Sequence, residues 1–141
     1  MSEAYVLDAS ALLNFLANGP GAERVERLLK GARPATPLLV SAVNWGEVFY
    51  ISWQRHGEES AKQTLADLLQ LAIRIVPVDI LQVLKAAELK AVHKIPYVDC
   101  LAAALATLSQ ATLVTSDRDF EKLGRHFPVL WITRSSTTAR S

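Results

Sequence analysis

The sequence predicts a three-layer α/β/α fold, in which helices cover both faces of a mainly parallel central sheet of about five strands. Short runs of β-branched and apolar residues alternate with longer helical patterns along the chain, and this alternation is typical of parallel strands joined by crossover helices. Of the 141 residues, 50% are hydrophobic and 21% are charged, which is enough apolar material for a packed core. Because no repeat or linker interrupts the pattern, we expect one domain over residues 1–133 and a polar, flexible tail over residues 134–141.

Strands are expected where apolar runs are short, and helices where apolar residues recur every three or four positions. The five strands are predicted at residues 4–7, 38–40, 74–78, 112–115 and 129–132. The helices are predicted at residues 10–17, 22–30, 43–55, 58–72, 79–92, 98–108 and, as a short segment, 119–123.

Glycine, proline and capping residues set the boundaries of these elements. The run G-P-G at 19–21 separates the first two helices, and Gly31 is expected to stop the second. Gly57 divides the third helix from the fourth. Asp79, with Gln82 three residues later, has the spacing of a capping box at the start of the fifth helix, so we interpret this aspartate as structural.

Composition excludes several kinds of site. Fifteen basic and fourteen acidic residues give a formal net charge of +1, which identifies no partner by itself. A single cysteine, Cys100, excludes an internal disulfide and a thiolate zinc cage within one chain, and the three histidines lie too far apart in sequence for a zinc-binding pair. Any metal would therefore be held mainly by oxygen. No signal-like leader or membrane-spanning stretch is visible, so we expect a cytoplasmic protein without a membrane partner.

Two aspartates directly follow predicted strands. Asp8 comes after the first strand and Asp117 after the fourth. In an open parallel sheet, the reactive crevice lies outside the carboxyl ends of the strands, so both side chains are expected at one edge. Helix capping is the alternative interpretation, because aspartate is a favoured N-cap and Ser116 and Asp119 have capping-box spacing.

Two further acids lie on apolar helices without a local ion pair. Glu47 has no lysine or arginine three or four residues away, and Asp99 begins a segment that contains no basic residue up to Thr115. Burying an unpaired carboxylate costs on the order of several kcal/mol. The alternatives are a helix edge for Glu47 and the favourable N-terminal turn of a helix for Asp99. Gly46, beside the glutamate, is expected to allow close approach of another backbone segment.

Together these acids indicate a site for a hard divalent cation. Carboxylates within about 4–6 Å of one another resist ionising together, and a cation between them removes that cost. Mg²⁺ is the ion best suited to a few carboxylates, because it keeps several of its waters and leaves room for a phosphate oxygen.

Four segments in order give the chain a family resemblance. They are V-L-D-A-S-A-L-L near the start, N-W-G-E-V in the middle, V-D-C-L-A-A-A-L-A later and L-V-T-S-D-R-D-F near the end. The chain resembles a PIN-domain ribonuclease of the VapC-like toxin type over residues 4–132. The resemblance implies a PIN-like fold and hydrolysis of RNA phosphodiester bonds, assisted by one or two Mg²⁺ or Mn²⁺ ions.

The resemblance also assigns roles to individual residues. The acidic quartet of the family falls on Asp8, Glu47, Asp99 and Asp117. Its three aspartates, Asp8, Asp99 and Asp117, are the preferred direct ligands, while Glu47 acts directly, through water or by orienting the nucleophile. The supporting polar positions fall on Ser10, Asn44, Thr115, Ser116 and Asp119. Asp119 is either a further contributor through water or a helix cap.

Substrate and partners follow from the same resemblance. RNA phosphates need basic side chains, and the candidates are Arg24, Arg27, Lys30, Arg118 and Lys122. An ordinary solvated helix face is the alternative for the first three. Toxins of this type are neutralised by a small VapB-like antitoxin and commonly form homodimers. The aromatic residues Trp45, Phe49, Tyr50 and Trp53 would serve either a partner contact or the core.

Two other functions compete with the nuclease. Aspartyl phosphotransfer also places an aspartate after the first strand, but the haloacid-dehalogenase-like motif requires a second one at position 10, where this chain has Ser10. A receiver-like site requires a lysine after a later strand, and the fourth strand leads into Ser116 and Asp117 instead. A non-catalytic PIN-like RNA-binding module would have lost its acids, whereas all four are present here.

Overall fold

The computed structural model describes residues 3–134 and has a five-stranded, wholly parallel sheet. The strands are β1 (Tyr5–Leu7), β2 (Leu38–Ser41), β3 (Ile73–Val76), β4 (Thr112–Thr115) and β5 (Val129–Trp131), and their spatial order is β3-β2-β1-β4-β5. The α-helices are α1 (Ala9–Leu16), α2 (Ala22–Gly31), α3 (Ala42–His56), α4 (Glu58–Leu68), α5 (Ile80–His93) and α6 (Tyr97–Leu108). A 3-10 helix, Arg118–Leu123, joins β4 to β5.

Helices cover both faces of the sheet, so the predicted three-layer architecture is confirmed. Side chains alternate along each central strand. Val6 and Leu113 belong to a core shared with α5 and α6, whereas Leu7 and Val114 belong to a core shared with helices α1 to α4. The alanine-rich α6 is buried from Cys100 to Ala106. This burial fixes the start of α6, and with it Asp99, relative to the carboxyl edge of the sheet.

Several predicted boundaries differ from the structure. The fourth helix was expected to reach Ala72, but α4 ends at Leu68 and the next residues form hydrogen-bonded turns that lead into β3. Gly31 is the last residue of α2 instead of a residue beyond it. The predicted tail falls, beyond Arg134, outside the described residues.

One glycine joins two distant parts of the chain. Gly21 precedes α2 with a φ of +86°, and a Cβ atom there would lie 2.6 Å from the carbonyl oxygen of Ile132. Glycine is therefore required both by the backbone conformation and by the space available. The contact holds the segment after β5 against the start of α2.

Within residues 3–134, no single helix has the length and hydropathy needed to cross a bilayer. Helices α5 and α6 meet the length and hydropathy requirements only when they are taken together, and the chain bends by 120° between them.

Candidate functional site

The candidate site lies where the two central strands end. β1 and β4 are neighbours, with Leu7 opposite Val114, so the residues that follow them meet at one edge. Asp8 follows β1 and is the N-cap of α1. Asp117 follows β4 and is the N-cap of the 3-10 helix. Capping and convergence at the sheet edge, which the sequence offered as alternatives, thus apply to both residues at once.

Asp8 is held by three hydrogen bonds in a buried pocket. Its Oδ1 atom accepts from the Ser10 hydroxyl at 2.7 Å and from the Ala11 amide at 3.0 Å, and its Oδ2 atom accepts from the Thr115 hydroxyl at 2.5 Å. Only 3% of the residue is exposed. An ionised carboxylate has about four acceptor sites, so one remains on Oδ2 for a ligand.

The same two hydroxyls connect Asp8 to the segment after β4. Thr115 Oγ1 accepts from the Asp117 amide at 2.9 Å, and Ser10 Oγ accepts from the Ser116 amide at 3.0 Å. Each hydroxyl therefore donates to Asp8 and accepts from the loop that carries Asp117. This arrangement fixes the two aspartates relative to each other.

Three carboxylates form a closer group beside Asp8. Oxygen atoms of Asp99, Asp117 and Asp119 lie within 4.8 Å of one another. Asp99 enters from the first turn of α6, and Asp119 donates its amide to Asp117 Oδ1 at 2.9 Å. Lys122 lies 3.9 Å from Asp119, which is too long for a strong ion pair.

Burial and hydrogen bonding act in opposite directions on Asp8. Desolvation raises the pKa of this carboxyl to about 6, with a small further contribution from the charge of Asp117. The hydrogen bonds from Thr115, Ala11 and Ser10 lower the pKa of Asp8, because they stabilise the ionised form.

Burial and negative charge act in the same direction on Asp99. Its pKa is raised to about 7, first by desolvation and then by neighbouring carboxylates. These neighbours are Asp117, Asp8, Glu47 and Asp119. All four residues of the predicted quartet are therefore close enough to interact, and Asp119 lies with them.

Glu47 is oriented by a buried amide. Asn44, which is 1% exposed, donates from Nδ2 to Glu47 Oε1 at 2.8 Å across one turn of α3. Asn44 Oδ1 is buried and has no hydrogen-bond partner among the described residues. The expectation that Gly46 admits another backbone is wrong, because a Cβ atom there would meet nothing within 4 Å.

The predicted RNA-binding residues are placed on several surfaces. Arg24 donates to the Trp131 carbonyl at 2.8 Å, and Arg118 donates to the Thr133 carbonyl at 2.7 Å. The Arg118 guanidinium also lies 4.2 Å from the centre of the Trp131 ring. Lys30 pairs with Glu26 at 3.0 Å on the exposed surface of α2. Two of the arginines are thus engaged around β5, and Arg27 lines a groove beside Arg24.

Sequence reasoning missed Asn14, which supports the site from α1. Its Nδ2 atom donates to Ser116 Oγ at 3.0 Å. Asn14 lies four residues after Ser10, so both side chains are on one face of the helix. That spacing was the available signal, and it would have placed a second polar side chain toward the loop after β4.

The donor set fits a hard divalent cation. Every candidate ligand is a carboxylate oxygen, the type that Mg²⁺ and Mn²⁺ prefer. Mutual repulsion raises the pKa of Asp99, and a bound cation would relieve it. The family resemblance favoured Asp8, Asp99 and Asp117 as direct ligands, whereas the closest group contains Asp119 in place of Asp8.

Several solved structures of toxin–antitoxin systems are similar to this chain. VapBC-1 from nontypeable Haemophilus influenzae has a TM-score of 0.73 and 19% identity, covering 93% of this chain and 99% of that chain. A toxin–antitoxin complex from Klebsiella pneumoniae has a TM-score of 0.69 and 20% identity, covering 94% and 100%. The Mycobacterium tuberculosis toxin VapC20, described as cleaving the sarcin–ricin loop, has a TM-score of 0.69 and 20% identity, covering 86% and 95%.

At these identities the structural matches concern the fold. No curated protein matches the sequence significantly. The sequence does match the PIN domain over residues 5–126, which includes Asp8, Glu47, Asp99 and Asp117. The chain therefore belongs to the PIN domain family, and its fold is that of VapC-like toxins.

Proposed function

We propose that this protein is a metal-dependent endoribonuclease and the toxin of a toxin–antitoxin pair. The observation that carries the proposal is the convergence of carboxylates on Asp99, whose pKa is raised to about 7 partly by the four other acids. A cluster of this kind has no structural advantage, because unpaired like charges destabilise the folded state. Perturbed carboxyl groups in a family of nucleases are the expected components of a metal-dependent active site.

Asp99 and Asp117 hold the ion in this proposal, with Asp8 contributing the free acceptor site of its Oδ2 atom. Asp119 completes the group on the side of the 3-10 helix. When bound, Mg²⁺ or Mn²⁺ supplies Lewis-acid stabilisation of the charge that develops on the phosphate and lowers the pKa of the attacking water. Metal titration of the wild-type protein counts the bound ions, one or two.

The remaining polar residues of the site position these ligands. Ser10 and Thr115 orient Asp8 and connect it to the loop of Asp117. Asn44 holds the Glu47 carboxylate in place for a direct or water-mediated contact. Because these side chains already make the hydrogen bonds that orient Asp8 and Glu47, they need little rearrangement when the substrate binds.

RNA is the proposed substrate. One similar structure is described as a toxin that cleaves the sarcin–ricin loop, and the chemistry of the site suits any RNA phosphodiester. Arg27, Lys30 and Lys122 are the proposed phosphate contacts, with Arg24 and Arg118 as additional ones if they exchange their carbonyl partners. Such contacts predict binding that weakens steeply with salt.

A small antitoxin is the proposed protein partner. Several similar structures are VapBC or FitAB complexes. A net excess of negative charge at the site favours a partner segment that carries a lysine or arginine, because a basic side chain would neutralise the acids in the absence of metal. A homodimer is the proposed state of the free toxin.

The function is tested with purified protein and total cellular RNA. We expect cleavage with Mg²⁺ or Mn²⁺ and none with excess chelator, and the mapped ends identify the RNA. Asp117→Asn should lower the cleavage rate at least about 100-fold. Asp67→Asn is the matched control, since Asp67 is an exposed acid of α4 whose side chain is hydrogen-bonded only to Gln63 among the described residues. Equal cleavage by wild type and Asp117→Asn, or cleavage that persists in chelator, would contradict the proposal.

The environment of Asp8 disfavours aspartyl phosphotransfer. A phosphorylated aspartate needs an oxygen that is accessible for in-line attack, whereas Asp8 is 3% exposed and its hydrogen bonds leave only one acceptor site open, on Oδ2. Incubation with acetyl phosphate followed by mass spectrometry separates the two functions: the nuclease proposal expects no adduct at this residue.

A further inference from the structure

An aromatic side chain ends the strand that borders the acid cluster. β5 comes last in the strand order, so one of its edges has no neighbouring strand in the sheet. Its last residue, Trp131, is paired in register with Thr115 of β4, and Asp117 follows Thr115 by two residues. Trp131 therefore lies at the same carboxyl edge of the sheet as the carboxylates.

The Trp131 ring is held by the residue that follows Asp117. The Arg118 guanidinium lies 4.2 Å from the ring centre, which is the geometry of a cation–π contact. Arg118 also donates to the Thr133 carbonyl at 2.7 Å, and Arg24 donates to the Trp131 carbonyl at 2.8 Å. These contacts fix the ring and its strand beside the acid cluster.

A cavity of about 320 Å³ opens next to this ring, between β5 and the 3-10 helix. Its walls include three aromatic side chains, those of Phe120, Phe127 and Trp131. Arg118 does not line the cavity, so the guanidinium and the cavity lie on different sides of the Trp131 ring. Trp131 is only partly buried by the described chain, and the cavity exposes the part of the ring that Arg118 leaves open.

The volume and the lining of the cavity suit one planar, mainly apolar group. Sites for small ligands begin at about 300 Å³, and they are lined mostly by apolar and aromatic side chains with a few polar groups. The charged groups of this lining are Glu121 and Arg125. A single ring fits such a cavity, whereas a helix or strand of a protein partner requires an extended groove.

Charge complementarity indicates a nucleic acid as the source of that ring. Four arginines border β5: Arg118 and Arg125 on the side of the cavity, and Arg24 and Arg27 on the side of α2. Arg125 forms no ion pair within the described part of the chain. An RNA strand supplies phosphates for these charges and unstacked bases for the aromatic ring, whereas a protein segment has no regular anionic backbone.

We propose that a nucleobase of the bound RNA enters this cavity and stacks on Trp131, close to the phosphate that lies at the acid cluster. The inference rests on the proposed function and deepens it, because it identifies a residue that binds the substrate through a base and not through a phosphate. Every base has a π-face, so this contact fixes the position of the RNA strand without selecting one base.

Fluorescence of a single-tryptophan variant tests the stacking directly. Trp45 packs against the core, and Trp53 packs edge to face on Phe49 with ring centres 5.6 Å apart, so phenylalanine is the least disruptive replacement for both. The double variant Trp45→Phe with Trp53→Phe leaves Trp131 as the one tryptophan of the chain.

The probe is a short oligoriboadenylate, added in chelator so that no divalent ion is present. We expect it to lower the Trp131 emission about twofold at saturation, because a stacked base contacts the ring. An abasic ribose phosphate of the same length carries the charges without the bases, and it should leave the emission unchanged.

Substitutions at Trp131 measure its contribution to RNA binding. Trp131→Leu keeps an apolar side chain but removes the ring, and it should raise the dissociation constant of the oligoriboadenylate at least about 10-fold. Trp131→Phe keeps a ring and should stay within about 3-fold of wild type. Trp53→Leu is the matched control, since Trp53 is 43% exposed on α3, and it should change the constant by less than about 2-fold. Circular dichroism verifies that the variants are folded.

An abasic scan of the substrate separates stacking from a structural role of Trp131. The mapped cleavage site defines a short RNA substrate, in which one nucleotide at a time is made abasic. We expect one position near the cleaved bond to lower kcat/KM about 10-fold with wild type but less than about 2-fold with Trp131→Leu. Damage to the fold would instead leave the abasic penalty of this variant unchanged.

Several outcomes would overturn the inference. Equal quenching by the oligoriboadenylate and the abasic chain would do so, and so would a Trp131→Leu variant that binds RNA like wild type. In either case the cavity serves another ligand, such as a side chain of a protein partner. Cleavage assays keep the two proposals apart. Base-dependent quenching without metal-dependent cleavage contradicts the nuclease only, whereas cleavage by Trp131→Leu with wild-type kcat/KM contradicts the stacking only.

Discussion

The two sides of the candidate site hold their carboxylates in different ways. Asp8 lies in a pocket of hydroxyl and amide donors, which oppose the cost of its burial. Asp99 faces four other acids, which add to that cost. On the first side, hydrogen bonds already occupy all but one acceptor site of the carboxylate, whereas on the second the negative charge is uncompensated until a cation or protons bind. The comparison teaches that hydrogen bonds preorganise one side of the site, and that metal binding must order the other.

The strongest test of this difference is Asp99→Asn. The substitution keeps the shape of the side chain and removes a charge that its neighbours repel. We expect cleavage to fall at least about 100-fold. The melting temperature of the metal-free protein at pH 7 should nevertheless rise, since the ionised carboxyl of Asp99 destabilises the fold. Differential scanning calorimetry in chelator measures this effect, and a clear decrease would show that Asp99 is stabilising without metal.

Metal addition at two pH values should reveal the uncompensated charge on the Asp99 side of the site. Both raised pKa values, about 6 for Asp8 and about 7 for Asp99, exceed the unfolded value of about 3.9. Between about pH 4 and pH 7 the folded protein therefore binds more protons than the unfolded chain, so metal-free stability falls as pH rises through this window.

Saturating Mn²⁺ binds the deprotonated form and should add about 2–3 kcal/mol at pH 7.5 when present at 100 times its dissociation constant. It should add much less at pH 5. Thermal unfolding with and without Mn²⁺ at both pH values measures this stabilisation. The Asp99→Asn variant is the control, and it should lose most of the stabilisation by Mn²⁺ at pH 7.5. Metal-free stability that rises from pH 5 to pH 7.5 would contradict the assigned pKa directions.

Asn and Ala substitutions at Asp8 separate its hydrogen bonds from its charge. Asp8→Asn keeps an acceptor for Ala11 and Ser10, whereas Asp8→Ala leaves three buried donors unpaired. We expect the alanine variant to be less stable than the asparagine variant by about 2 kcal/mol. The same pair of substitutions at Asp79, which caps α5 through one bond to the Gln82 amide, should differ by only about 1 kcal/mol. Chemical denaturation measures both differences, and equal values would mean that the hydroxyl pocket adds nothing.

The sequence predicted the sheet and the main acids because their signals are local or follow from topology. Asp8 and Asp117 were placed at one edge because each follows a strand of a predicted parallel sheet, and Asp99 was singled out because no nearby base compensates it. The role of Asp119 was ambiguous, because its spacing from Ser116 also fits a capping box. In the structure the cap is Asp117, which accepts the Asp119 amide, so the Asp119 carboxylate is available to the cluster.

Other features depend on contacts between residues far apart in sequence. Arg24 and Arg118 were assigned to RNA from their charge, but both donate to carbonyls at or after β5. Nothing in the local pattern indicates that Trp131 is their common neighbour. Gly46 was expected to mark a close backbone contact, yet it lies on an exposed part of α3. A glycine signals conformational freedom, and its surroundings decide whether that freedom is used.

The smallest expected effect concerns the hydroxyl shared by the two sides. Thr115→Val keeps the shape of the side chain but removes the donor to Asp8 Oδ2 and the acceptor of the Asp117 amide. Because this hydrogen bond lowers the pKa of Asp8, its loss should raise that pKa further. Metal binding requires the ionised carboxylate, so cleavage at pH 7 should fall about 10-fold.

A pH profile distinguishes this effect from general damage. Raising the pH should recover much of the lost rate in Thr115→Val, because Asp8 then ionises despite its higher pKa. Thr115→Ser keeps the hydroxyl and should follow the wild-type profile. A uniform loss at every pH would indicate instead that the amide of Asp117, deprived of its acceptor, has shifted the loop. In that case the two sides of the site would be coupled through backbone position and not through the charge of Asp8.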